Sequence, residues 1–221
     1  MKHVSDTPFA READLVRHLL RLLPQYLEQE AKHHLLAVEV GVGRAIADVA
    51  AVMWDDPLEP PPPLSARDSV VLSTLRRWGP TRVDILEARC GLSRGALRSG
   101  ELDHLQTMNL LDRGPGGRVA LATDWAQRIR IVAIEAKLHD WKTAIRQAQR
   151  YLQYADEAFV ALPRPMVQRL NGSLGDFQKA CVGLISVGPE LMIEVPASRH
   201  STHDWRREFA GSRLLAERIH D

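Results

Sequence analysis

The sequence predicts a mixed α/β protein whose sheet is interrupted by a small, mostly helical insert. Three observations carry this. Runs rich in Val, Ala, Ile and Leu, of strand length, occur in both outer parts of the 221-residue chain, beside stretches with helical periodicity. Between the outer parts stands DDPLEPPPPLS, whose four consecutive prolines at 60–63 can continue neither a helix nor a central strand. Beyond it the pattern changes to short helices followed by a glycine-rich turn.

The elements follow in order. Residues 10–30 repeat Leu15, Leu19, Leu22, Leu23 and Tyr26 at helical spacing. HLLAVEVGVGRAIADVAAVMW reads as two strands, 35–40 and 45–54, joined by a tight turn at the glycines 41 and 43. The Pro-rich stretch 56–64 is a stiff linker. SARDSVVLSTLRRWG is a helix opened by Ser65, TRVDILEARCG a short helix closed by Gly91, and SRGALRSGELDHLQTMNLL a third helix opened by Ser93. LDRGPGGRVALAT is a hairpin with its tip at 114–117. RIRIVAIEAKL is a strand, DWKTAIRQAQRYLQYA a helix with Asp140 as N-cap, and EAFVALP another strand. A helical stretch at 165–170, two final strands (CVGLISVG and LMIEVPA) and a closing helix (WRREFAGSRLLAERI) complete the chain. The expected division is a core in two parts, 1–55 and 125–221, the linker 56–64, and an insert at 65–124; host loops accept such insertions where their ends stay close.

Composition narrows the function. A chain that is 45% hydrophobic suits one large domain or two small ones. A net charge of +1 gives no global basic field, so any nucleic-acid surface is local. Cys90 and Cys181 lack metal-ligand spacing and fit a reducing, cytoplasmic setting. MKHVSDTPFA contains no apolar signal segment, and no stretch has the length to cross a membrane. His33, His34, His200 and His203 have no cluster of partner ligands and read as surface residues; Trp141 reads as core.

The charged residues raise the functional question. Side chains alternate along a strand, so Glu135 and Lys137 share a face with Ile131 and Ala133, while Asp48 shares one with Ile46, Ala50 and Val52. If the two strands are neighbours, two carboxylates converge in an apolar setting, and a divalent cation with a taste for oxygen relieves the repulsion. Taken alone, Glu-x-Lys is also what a solvated pair at a strand end looks like.

Asp48, then Glu135-Ala136-Lys137, then a helix carrying Gln147 and Tyr151 four apart, resembles the PD-(D/E)xK nuclease superfamily along residues 9–54 and 128–162. The resemblance implies a restriction-endonuclease-like mixed sheet flanked by helices. It also implies Mg2+ or Mn2+ on Asp48, Glu135 and the Ala136 carbonyl, and Lys137 assisting the attacking water. Gln147 and Tyr151 match the Gln-x-x-x-Tyr pattern of a subset of that family, and read equally as ordinary helix residues. Many members carry an early acid on the first helix, for which Glu12 is the choice and Glu39 the rival. The family's usual proline before the first Asp is Ala47 here, and an insert between the metal ligands is unusual.

The insert, three helices and a small hairpin over 64–123, resembles a winged helix-turn-helix. That resemblance implies DNA contact through Arg94 and Arg98 on the third helix and Arg113 and Arg118 at the hairpin, with Glu101, Asp103 and Asp112 opposing them. The expected function is a metal-dependent nuclease acting on DNA, plausible as a homodimer. A non-catalytic DNA-binding protein or regulator on a nuclease-like scaffold, and a protein-interaction module, remain as alternatives.

Overall fold

The structure, a computed structural model, describes residues 9–98, 100–170, 172–200 and 204–216. Helix α1 (Glu12–Glu30) buries Leu15, Leu19, Leu23 and Leu27, a four-residue repeat that puts all of them on one face. Strands β1 (His33–Val42) and β2 (Ala45–Trp54) pair antiparallel from His33↔Trp54 to Val42↔Ala45. The pairing carries β1 beyond the predicted 35–40. A two-residue loop joins the strands, and Gly43 takes the left-handed φ (+65°) that tight hairpin turns need.

Helix α2 (Ala66–Trp78) opens with the expected Ser65 cap, closed into a capping box by Asp68. Strand β3 (Thr81–Arg82) and helix α3 (Val83–Arg89) follow. The predicted third helix is shorter than expected. Ser93 does not open it: a 3-10 turn spans Ala96–Arg98, and helix α4 runs only Glu101–Thr107. The break falls at Gly100, whose φ of +116° has no place inside a right-handed helix. Strands β4 (Leu111–Gly114) and β5 (Arg118–Leu121) form the hairpin, and with β3 make a three-stranded sheet in the order β3-β5-β4.

Strand β6 (Arg130–Ala136), helix α5 (Trp141–Tyr151, capped by Asp140 onto the Thr143 N–H) and strand β7 (Glu157–Pro163) follow. The short helices α6 (Arg164–Gln168) and α7 (Leu174–Lys179), strands β8 (Gly183–Val187) and β9 (Leu191–Val195), and helix α8 (Trp205–Ala216) complete the described chain. The main sheet has six strands in the order β1-β2-β6-β7-β8-β9. It is parallel at β6/β7 and β7/β8 and antiparallel elsewhere.

Each face of the sheet has its own apolar layer. On one, the α1 leucines meet Val49, Ala51, Met53, Ile134 and Phe159. On the other, Ala144, Ala148 and Tyr151 of α5 and Leu214 and Leu215 of α8 meet Ala50, Val52, Ile131, Ala133 and Val160. Leu72, Leu75, Leu86 and Leu105 of the 65–124 segment belong to this second layer. The segment is further tied to α8 by the Arg76–Glu208 ion pair and by the Leu64 N–H, which donates to Ser212 Oγ at 3.1 Å. Helix α8 is itself anchored by Arg207, whose buried guanidinium grips Asp156 (2.9 and 3.0 Å) and the Ile129 carbonyl (2.8 Å). Trp141 stacks on Phe177 and packs against the core; His33 is exposed and stacks on Trp54; His203 lies outside the described residues. No helix among the described residues is long and apolar enough to cross a membrane.

Candidate active site

The β2/β6 register builds the site. Val49 pairs with Ile134, so the next step along the ladder sets Asp48 across from Glu135. The Ala136 N–H donates to Asp48 Oδ2 at 2.8 Å, which fixes that carboxylate at the end of the ladder. Strand β6 stops at Ala136, two residues short of the predicted strand end at Leu138, but the Lys137 N–H still donates to the Ala161 carbonyl at 3.1 Å. Main-chain hydrogen bonds therefore hold the Glu-Ala-Lys segment on both sides.

Glu135 is almost completely buried, at 1% exposure. A carboxylate there needs partners, and it has two. Lys137 Nζ lies 3.0 Å from Oε1, and the Tyr151 hydroxyl contacts Oε2. That hydroxyl also lies 2.7 Å from the Ile46 carbonyl, which can only accept. One phenolic proton cannot serve both acceptors. When it goes to Ile46, the contact with Glu135 is satisfied by a proton on the carboxyl. Burial, and secondarily the charge of Asp48, push the Glu135 pKa up, against the hydrogen bonds from Tyr151 and Lys137. Burial likewise raises Asp48, with Glu12 and Glu39 adding to the effect and the Ala136 N–H and Lys137 opposing it. For Lys137 the balance reverses: burial works against the ammonium, but Glu135 and Glu12 outweigh it and raise its pKa. Tyr151 and Tyr154 are held far above the usual phenol range, first by burial and then by Glu135.

Glu12 meets this group from α1, on the other side of the sheet end, with Oε2 3.1 Å from Lys137 Nζ. Lys137 is thus shared between a buried acid and a half-exposed one. Glu39 stands across from Asp48, between the pairs Val38↔Val49 and Val40↔Ala47. Its φ of +54° is a rare conformation for a non-glycine residue. Both Glu12 and Glu39 line a cleft of about 420 Å3 between α1 and the hairpin, with Asp48 at its wall. Gln147, one turn before Tyr151, has a buried Oε1 without a hydrogen-bond partner among the described residues. The Tyr154 hydroxyl is a second such atom, and the sequence reading missed it. Its signal was a phenol three residues beyond Tyr151, in the turn that follows α5.

Two opposed carboxylates are hard oxygen donors of the kind that binds Mg2+ or Mn2+, since magnesium is commonly bound by one or two carboxylates plus water and substrate phosphate. Among the described residues no three His, Cys, Asp or Glu side chains converge, so Glu12 does not join Asp48 and Glu135 in a cage.

The residues expected at DNA lie apart from this site. Arg94, Arg113 and Arg118 line a cleft of about 470 Å3 beside the hairpin, together with Arg82. Arg113 is paired with Asp103 (2.5 Å) and Arg82 with Asp84 (3.1 Å). Contrary to expectation, Arg94 and Arg98 are not on the third helix: Arg94 sits in the turn before the 3-10 segment and Arg98 ends that segment, because Gly100 starts α4 later. The Arg98 side chain lies outside the described part.

In comparisons with known proteins, the chain matches no family model, no curated protein and no solved structure.

Proposed function

We propose that the protein is a metal-dependent DNA nuclease of the PD-(D/E)xK type, with a restriction-endonuclease-like core and an inserted winged helix that positions the duplex. The observation that carries this is the placement of Asp48 against the Glu135-Ala136 peptide, with the Lys137 ammonium on Glu135. The order α1-β1-β2-β6-α5-β7 around it is the order that the resemblance implies, with the insert falling between β2 and β6.

Asp48, Glu135 and the Ala136 carbonyl would hold Mg2+ or Mn2+. Bound there, the ion supplies Lewis acidity at the scissile phosphate and lowers the pKa of water. The chain's own residues do the rest. Glu135 would have to be ionised to serve as a ligand, against the burial that raises its pKa. Lys137 exchanges its contact with Glu135 for one with the phosphate, offsetting charge that grows in the transition state. Tyr151 holds Glu135 in place and excludes water beneath it. Gln147, with its orphan oxygen, is an uncommitted acceptor on the same helix face, and a buried acceptor left unsatisfied costs about 1–3 kcal/mol. In the insert, Arg94, Arg113 and Arg118 contact phosphates, which orient the duplex without reading it. A second copy related by a two-fold axis would bring a second site to the other strand.

One observation favours a different reading: both oxygens of Glu135 are engaged by protein groups, as in a purely structural ion pair. A DNA-binding protein without catalysis would then share the scaffold. Cleavage of supercoiled plasmid by purified protein in Mg2+ or Mn2+, against an EDTA control, separates the two. Metal-dependent nicking that Asp48→Asn abolishes supports the nuclease; tight duplex binding with no cleavage in either metal overturns it.

A further inference from the structure

We propose that Arg77, Trp78 and Arg89 form a binding surface for an unpaired nucleic-acid strand. This rests on the reading of the protein as acting on DNA and adds a second contact, for a single strand rather than a duplex. Trp78 ends α2 with 54% of its surface exposed, whereas an indole normally supplies one of the largest apolar areas a fold can bury. It does not sit on a frayed end. Gly79 turns the chain at φ +72° and its N–H donates to the Leu75 carbonyl at 2.8 Å, so the ring stands at a fixed corner.

Two guanidinium groups lie over that ring, Arg77 at 5.2 Å from its centre and Arg89, the last residue of α3, at 4.7 Å. Both distances are within cation–π range. The contrast with Arg76 is informative: it turns inward to Glu208 and Asp124, whereas Arg77 and Arg89 are exposed and have no carboxylate partner among the described residues. Ile85, 42% exposed and one turn before Arg89, extends the apolar part of the patch.

These groups match one chemistry better than others. An unpaired strand offers free base faces for an aromatic ring and a phosphate at each step for arginine. A duplex keeps its base faces stacked inside and would leave the indole unused. An acidic peptide would use the arginines but gives no reason for an indole that is 54% exposed. The patch also continues the basic cleft: Arg82, Val83 and Asp84 line that cleft at the start of α3, and Arg89 stands at its other end. The seven residues of α3 span only about 10 Å, so Arg89 stands one short helix from the cleft.

The test is fluorescence anisotropy with a labelled oligothymidylate and a labelled hairpin duplex. It uses the parent, Trp78→Ala, Trp78→Phe and the double variant Arg77→Ala/Arg89→Ala. Because these side chains are exposed, thermal melts should stay near the parent's. Trp78→Ala is expected to weaken oligothymidylate about five- to 160-fold, the worth of one base stacked on an aromatic ring. Trp78→Phe should retain most of the binding, and hairpin affinity should change little. The double variant should flatten the slope of log affinity against log salt for the single strand by about 1.4, from two phosphate contacts. Unchanged oligothymidylate binding by Trp78→Ala overturns the proposal, as does complete displacement by polyglutamate at matched charge. Plasmid cleavage on the same preparations keeps the two readings apart. Cleavage without Trp78-dependent strand binding removes this inference alone, and strand binding without cleavage removes the nuclease alone.

Discussion

The main-chain N–H of Ala136 donates to Asp48 across the β2/β6 ladder, so a carboxylate on one strand is fastened to the residue that follows the carboxylate on the other. Backbone geometry, rather than a flexible side chain, sets the separation of the two acids. The first prediction uses this bond. Asp48→Asn keeps an acceptor for the Ala136 N–H but loses the charge, and is expected to fold like the parent and cleave nothing. Asp48→Ala leaves that N–H without its acceptor and should cost about 1 kcal/mol more than Asn in urea unfolding. Cleavage by Asp48→Asn would remove Asp48 from the site.

Lys137→Ala is the second. It removes the cation beside a buried carboxylate, and breaking such a pair typically costs about 3–5 kcal/mol. The lower end applies, because Lys137 keeps 19% of its side-chain exposure and Glu135 escapes by taking a proton. The loss should therefore shrink as pH is lowered. Turnover should fall by about a hundred- to a thousandfold, as for other single electrostatic groups at a reacting centre. The rise in melting temperature on adding Mg2+ should persist. A variant that cleaves like the parent would reduce Glu135–Lys137 to a salt bridge.

Protonation supplies the third. Asp48 and Glu135 both have folded-state pKa values raised by burial. A raised carboxylate binds its proton more tightly in the folded state. Its stabilising contribution is complete below the ordinary carboxylate pKa and is lost as pH rises through the raised value. Without metal, melting temperature should decline across that window, and Glu135→Gln should flatten the decline. With Mg2+ the two charges gain a partner, so the stabilisation by metal should grow with pH. Melts in EDTA and in Mg2+ across the same pH series measure both; a metal effect independent of pH would contradict the assignment.

The fourth concerns the hairpin cleft. Arg94 and Arg118 line it, while Arg113 is partly neutralised by Asp103. Arg94→Ala with Arg118→Ala is expected to reduce the salt slope of duplex binding by about 1.8. Arg113→Ala alone should change it less than either of the others does. An unaltered slope in the double variant would mean that this cleft does not face DNA.

Much of this was legible from residue pattern, and the failures have physical causes. Apolar runs in IRIVAIEAK and AIADVAAV placed Glu135 and Asp48 on strands, and the Ser65 and Asp140 caps located α2 and α5. The third helix was over-extended, because apolar periodicity through 93–111 outweighed the left-handed demand of Gly100. Strand β1 was under-extended, because His33 and His34 are poor apolar markers although the β2 ladder pairs them. Glu39's strained backbone left no trace in composition. The Arg77–Trp78–Arg89 stack joins the end of α2 to the end of α3, a meeting decided by tertiary packing.

The last prediction concerns Glu12, expected from sequence as an early acid of the site. It stands 3.1 Å from Lys137 Nζ and forms no three-acid group with Asp48 and Glu135. On the proposed reading its role is to position Lys137. The two partners of that ammonium differ in what they contribute. Glu135 is buried, so its half of the contact is strong; Glu12 is 48% exposed, and ion pairs of that kind contribute about 0–1 kcal/mol. Stability should scarcely notice Glu12→Gln. Activity should, because when Lys137 leaves Glu135 for the phosphate, Glu12 is the carboxylate that keeps the ammonium charged and aimed. The amide of Glu12→Gln still accepts a hydrogen bond but no longer favours the charged amine. The expected result is a fall in kcat of about tenfold with little change in KM, and an activity profile whose alkaline limb moves to lower pH. Glu12→Asp, shorter by one methylene, should lower kcat while leaving that limb in place. Manganese affinity by calorimetry should be the same in all three proteins. A Glu12→Gln variant that binds manganese more weakly would make Glu12 a ligand, and one with parental kcat and an unmoved alkaline limb would leave it a solvated acid of the first helical turn.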